Sequence, residues 1–275
     1  LGDPVLVDLV TWVGLTRPDG QVTYGEARAF LRTHPHWPQG DTIRRRVERS
    51  MPDSLPPSDI LAWFTDNPPL TPEGMLRHGG ALMDTGDTDK GRLLIRSAWV
   101  EGLVGVVEER RFRARYDSEL QPADHVARLD HLLDRRLWDA ANRQVALLDS
   151  GYAALVAARQ ALATDSANAD SAVQRVPDRL QNDPGLLLER AQSRRRKGRY
   201  QDVVELLGNY DALVARPAIW WSLRHWAARR ALDEGDVSIA YRIAAGHGLT
   251  RGSAFVEAEW LAGWLGYRGY QRPDS

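Results

Sequence analysis

Aromatic rings bracketed by guanidinium groups are the most chemically suggestive pattern in this sequence. Trp220, Trp221 and Trp226 interleave with Arg224, His225, Arg229 and Arg230 over a stretch whose spacing predicts a single helix. Indole faces beside guanidinium groups suit sugar rings, nucleobases or acidic peptide stems, through stacking and cation–π contact. Tryptophans in stacked helices are more often core spacers, so Trp220, Trp221 and Arg224 are nominated as ligand contacts against that plainer role. Further on, Glu257 and Glu259 sit near Trp260 in a strongly apolar helical stretch. A carboxylate there could be tuned for general acid catalysis, although pairing with a neighbouring Arg or His is the more ordinary arrangement. His247 and Trp260 complete the candidate substrate-binding set.

Other constellations are weaker. His34 and His36 flank Pro35, but no carboxylate or third histidine follows at helical spacing, which favours loop packing over a metal site. Gly246-His247-Gly248 with Gly252 has the wrong spacing for a dinucleotide loop and follows a helical pattern, so a helix C-cap and turn is expected. Arg194, Arg195, Arg196, Lys197 and Arg199 form the densest basic run and read as the solvated end of a helix before an anion site. Gly-x-Ser-x-Gly, His-Glu-x-x-His, Walker and Ser-x-x-Lys signatures are absent from the sequence. These residues call for no cofactor and no metal.

The elements that must position the candidates are helical. The 275 residues carry 36 basic and 37 acidic side chains, a net charge of -1, which argues against a protein built to coat nucleic acid. Lysine occurs only at Lys90 and Lys197, an arginine bias read first as genome composition. Cysteine is absent, excluding thiol catalysis and disulfides, and no window is long and apolar enough to span a membrane, so a soluble chain is expected. Period-2 strand signals are nearly missing, while helical periodicity recurs throughout. Asp3-Pro4, Thr23 with Glu26, and Ser58-Asp59 read as helix starts, and Pro35 to Pro38, Pro52 to Pro57 and Pro68 to Pro72 as breaks. In residues 254 to 267, Ala254, Ala258, Leu261 and Leu265 make one apolar stripe and Trp260, Trp264 and Tyr267 an adjoining one, predicting a helix packed on two sides.

Gly86, Gly198 and Gly235 anchor a weak repeat, each followed by a small or β-branched residue at +5 and an apolar one at +8. Gly198 and Gly235 are 37 residues apart, and Gly86 precedes Gly198 by 112, close to three such periods. That spacing marks stacked helix pairs. The expectation is an all-α, TPR-like α-superhelix of irregular helix pairs, one domain over 1–275 with a softer boundary near 164–171.

The stretch Pro217-Ala-Ile-Trp-Trp-Ser-Leu-Arg-His-Trp-Ala-Ala-Arg-Arg-Ala-Leu232, followed by Gly235-Asp236, Ala240-Tyr241-Arg242, Ala245-Gly-His-Gly-Leu249 and Phe255-Val-Glu-Ala-Glu-Trp-Leu-Ala-Gly-Trp264, resembles the superhelical domain of soluble lytic murein transglycosylases of the alphaproteobacterial kind. The likeness extends upstream through Phe30-Leu31, Trp37-Pro38, Ala62-Trp63-Phe64, Pro68-Pro69-Leu70 and Leu93 to Trp99. The resemblance implies a U- or ring-shaped, noncatalytic helical array beside a goose-lysozyme-like catalytic domain that cleaves MurNAc-GlcNAc bonds to 1,6-anhydro products. It also implies peptidoglycan strands and the chain's own C-terminal catalytic domain as partners, and a periplasmic location with an export signal before Leu1. The family's catalytic Glu-Ser pair has no counterpart here, so no catalytic residue is carried over. The alternative is a TPR-like protein-binding scaffold unconnected with the cell wall; an RNA-binding repeat is disfavoured by the net charge.

Overall fold

Gly86, Gly198 and Gly235 all hold left-handed backbone, with φ of 99°, 69° and 87°. Each ends a helix in the same way. The amide after the glycine bonds a carbonyl five residues back, as in Asp87 to Leu82, Arg199 to Arg194 and Asp236 to Ala231, each at 2.9 Å. This is the Schellman closure, which satisfies carbonyls that the helix end would otherwise leave open. The same closure forms at Asp165, where Ser166 N–H bonds the Ala161 carbonyl at 2.9 Å although φ is 49° at a residue that is not glycine. Arg136 is left-handed too, with φ 57°. Asp165 and Arg136 thus place two further left-handed residues between Gly86 and Gly198, at spacings less regular than the 37 residues from Gly198 to Gly235.

The computed structural model describes residues 3–102, 105–209 and 217–270. Among these, the protein is all α, a stack of helices without a strand. Two compact units divide the chain, Leu1–Arg135 and Arg136–Ser275.

The first unit holds α1 (Pro4–Thr16), α2 (Tyr24–Thr33), α3 (Gly40–Arg49), α4 (Pro57–Asp66), α5 (Pro72–Asp84), α6 (Thr88–Glu101), α7 (Val106–Tyr116) and α8 (Pro122–Asp134). Asp3 caps α1 by accepting from the Val5 amide at 3.0 Å, and Thr23 and Glu26 form a reciprocal capping box on α2. At α4 the sequence expectation shifts. Pro57 occupies the first helical position, so Pro56 becomes the cap and Ser58-Asp59 falls inside the first turn. Helices α5 and α6 form the closest pair, because a Cβ on Gly91 would lie 2.7 Å from the Gly79 carbonyl oxygen. His34 packs between Phe30 and Trp37 and meets Asp8 at 3.3 Å, the loop-packing role expected of it.

The second unit holds α9 (Trp138–Val145), α10 (Gly151–Ala163), α11 (Ala169–Gln174), α12 (Pro184–Arg196), α13 (Tyr200–Asn209), α14 (Pro217–Asp233), α15 (Val237–Ala245) and α16 (Ser253–Tyr270). The small-residue stretch 164–171 contains the left-handed turn and the start of α11, which packs on α10 through Ala169 and Ala172. A larger core joins α12 to α16 around Trp220, Trp221, Leu223 and Leu261. At the end of α15 the cap residue Gly246 is not left-handed, with φ -79°; the left-handed turn glycines are Gly248 and Gly252.

Arginine carries much of the interior polarity. Arg128 is fully buried, lies 4.1 Å over the Trp99 ring, bonds the Trp99 and Gly102 carbonyls and pairs with Glu109 at 3.0 Å. Buried Arg159 faces Asp183 at 3.7 Å. A planar fork that stays charged suits such sites better than lysine.

Candidate functional site

The buried residues of α14 are Trp220, Trp221, Leu223, Arg224, Ala227, Ala228 and Ala231, a set that runs nearly half-way around the helix. That width explains why two adjacent tryptophans both enter the core. Trp220 is 1% exposed and offers no free indole face, so the sequence expectation that it meets a ligand does not fit its position. Arg224 is also enclosed. Its Nη1 donates to the Ile243 carbonyl at 3.2 Å, one of the last carbonyls of α15, and burial pushes its pKa below the ordinary guanidinium value. Gly246 leaves the room: a Cβ there would stand 3.1 Å from the same nitrogen. Arg224 is therefore a side-chain cap for α15, holding α15 against α14.

A polar seam runs from α14 to α16. The Trp221 Nε1–H donates to Glu257 Oε2 at 2.7 Å, and the other Glu257 oxygen lies 3.7 Å from His225 Nε2. His247 Nδ1 accepts from the Leu249 amide at 2.9 Å, so its proton resides on Nε2, which donates to Glu259 Oε1 at 3.0 Å. His247 is buried, with the Trp221 and Phe255 rings edge-on to it at 6.2 and 6.0 Å. Both glutamates pair with neighbours, but more than half of each carboxylate side chain faces water. The enclosed apolar setting expected for them on α16 is thus missing. Their chemistry is to fix an indole and an imidazole in place.

Two of the three residues of the second apolar stripe of α16, Trp260 and Tyr267, face outward. Ala258, Leu261 and Leu265 are buried, whereas Trp260 is 66% exposed and Tyr267 63%. Trp264 of the same stripe is half-buried against the core, so the second side is packed in part and open at Trp260 and Tyr267. Trp260 and Trp264 stack in parallel, with centroids 6.2 Å apart and planes 7° apart, and the Arg268 guanidinium lies 4.8 Å over the Trp264 ring. On α14, Trp226 carries Arg195 at 5.1 Å over its ring, beside an open groove of about 510 Å³ lined also by His225, Arg229 and Arg230. Trp226, Trp264, Arg195 and Arg268 were not among the candidate site residues. The i, i+4, i+8 spacing from the candidate Trp260 is the signal that points to two of them, Trp264 and Arg268.

Among the described residues no cluster of His, Asp and Glu is arranged to hold a metal ion, and no helix is long and apolar enough to cross a membrane. Comparison with known protein families, curated proteins and solved structures finds no match.

Proposed function

We propose that this chain is the noncatalytic helical domain of a soluble lytic murein transglycosylase, a scaffold that guides peptidoglycan strands to a goose-lysozyme-like catalytic domain in the periplasm. In this reading the stacked helices curve as a superhelix, and the catalytic domain performs the cleavage to 1,6-anhydro ends. Support comes from the resemblance of the α14 to α16 sequence to that family and from the all-α architecture. The observation that carries the reading is the exposed indole of Trp260 on α16, stacked on the half-buried Trp264, which Arg268 covers in turn. Exposed stacked indoles leave apolar surface in water, and the faces of sugar rings cover such surface weakly and repeatedly.

The test is to join the catalytic domain to residues 1–275 and compare it with the isolated catalytic domain on intact sacculi and on short soluble muropeptides. A loss confined to the polymer when the helices are removed, reproduced by Trp260→Ala, supports guidance. Equal rates on both substrates reject it.

A second reading, a protein-binding helical scaffold, is favoured by α1, where Val5, Leu6, Val7, Leu9 and Val10 are all exposed. Under that reading Trp260→Ala leaves sacculus binding unchanged, and polar substitution of the α1 residues abolishes association with a protein partner.

A further inference from the structure

The basic run near the end of α12 does not act as one unit. Arg196 pairs with Asp165 at 2.6 Å, Arg195 lies over Trp226, and Arg199 pairs with Asp202. Arg194 donates to the Asp202 backbone carbonyl at 2.9 Å, and Lys197 has no ion pair or hydrogen bond from its side chain among the described residues. Among the described residues Arg190, one turn before Arg194, likewise makes no ion pair or hydrogen bond from its side chain. Arg190, Arg194 and Lys197 occupy i, i+4 and i+7, so they form a row along one face of the helix, about 10 Å long at 1.5 Å per residue.

That row lines an open cleft of about 360 Å³ between α11 and α12, whose apolar lining residues are Leu162 and Val173. Asp170 is the single acidic residue in its wall, against Arg190, Arg194, Lys197 and Arg199. Burial first, and then the neighbouring Arg190, push the Arg194 pKa below the ordinary guanidinium value. Like charges at i, i+4 destabilise a helix, and the helix dipole rewards cations only within the last turn. The dipole therefore accounts for Arg194, Arg195 and Arg196 but not for Arg190, which stands upstream of that turn.

We propose that the cleft between α11 and α12 binds a small molecule carrying two adjacent oxyanions, phosphate or carboxylate, held by Arg190, Arg194 and Lys197 beside Leu162 and Val173. Guanidinium forks match both oxyanions, and the length of the row asks for two anionic groups in place of one. The cleft volume fits a small ligand. This inference is independent of the peptidoglycan reading.

Isothermal titration calorimetry of the 275-residue chain with pyrophosphate and, separately, malonate, at constant ionic strength, tests it. Saturable one-to-one binding of at least one anion is expected. Arg190→Gln should weaken it about tenfold, as for loss of a charge-assisted contact, and Asp170→Asn should tighten it. Tighter pyrophosphate identifies a phosphate ester or diphosphate as the ligand class, and tighter malonate a dicarboxylate. Arg190 supports no neighbouring group, so its variant should keep the wild-type circular dichroism; if it does not, Asp170→Asn decides alone. Absence of saturable binding for both anions, or affinity unchanged by the decisive variant, overturns the proposal.

Discussion

The indole of Trp221 on α14 donates to the carboxylate of Glu257 on α16 across 2.7 Å, so a core side chain is tied to a half-exposed one on another helix. Cutting the bond from either end has different consequences. Glu257→Gln keeps an acceptor and should cost little. Trp221→Phe removes the donor and some volume, and should cost about 1 kcal/mol for the bond plus a packing loss. Chemical denaturation of Trp221→Phe, Glu257→Ala, which removes the acceptor, and the double variant gives the coupling; a coupling of zero means that the contact contributes nothing to stability.

Two tryptophans separate fold from function. Trp220→Ala opens a cavity in a filled core and should lower stability by about 3 to 5 kcal/mol. Trp260→Ala removes a mostly solvated ring and should change stability by no more than about 0.5 kcal/mol. Thermal unfolding monitored by circular dichroism distinguishes them. If Trp260→Ala also reduces co-sedimentation with purified sacculi, the loss belongs to the α16 surface, because the fold is intact.

Acid should weaken the first unit before its carboxylates titrate. His78 stacks on Phe64 at 4.7 Å, and burial lowers its pKa; burial also lowers those of His125 and His131. Since the folded values lie below the ordinary one, the unfolded chain takes up protons first as pH falls. Stability is therefore full above the ordinary histidine range and declines as pH drops through it towards the folded values. Urea midpoints should hold from about pH 8 to 7 and fall between about 7 and 5. His78→Phe should flatten part of that fall, and an unchanged slope would remove His78 from the account.

The helices were legible because apolar spacing and caps agree locally, as at Thr23 and Glu26. The repeat was legible only where glycine marks it. Arg136 and Asp165 also hold left-handed backbone, but neither is the glycine by which such a turn is read from sequence. The candidate site was half legible for a similar reason. Periodicity places Trp220 and Trp260 on helices, yet which ring is covered depends on long-range packing of α14 against α15 and α16. Arg224 reads as a ligand contact because arginine is usually at the surface. Its burial depends on the α15 carbonyl it satisfies and on the space at Gly246, neither of which a residue of α14 reveals.

The left-handed turns give a paired test with opposite signs. At Gly235 nothing lies within 4 Å of an added Cβ, so Gly235→Ala introduces no clash and reports the φ of 87° alone. The cost should be about 1 to 2 kcal/mol, the penalty of a side chain in left-handed backbone. Arg136 already bears that penalty at φ 57°. Arg136→Gly should recover it, less the ion pair with Glu189 at 3.5 Å, whose arginine is 46% exposed and whose worth is about 0 to 1 kcal/mol. Glu189 is buried, however, and would lose a cation, so Arg136→Gly with Glu189→Gln is the cleaner comparison. If turn geometry governs, this double variant is more stable than Glu189→Gln alone, and Gly235→Ala is less stable than wild type. Equal stability within either pair would mean that the backbone relaxes out of the left-handed region, and that the repeat is set by packing between helices without help from the turn.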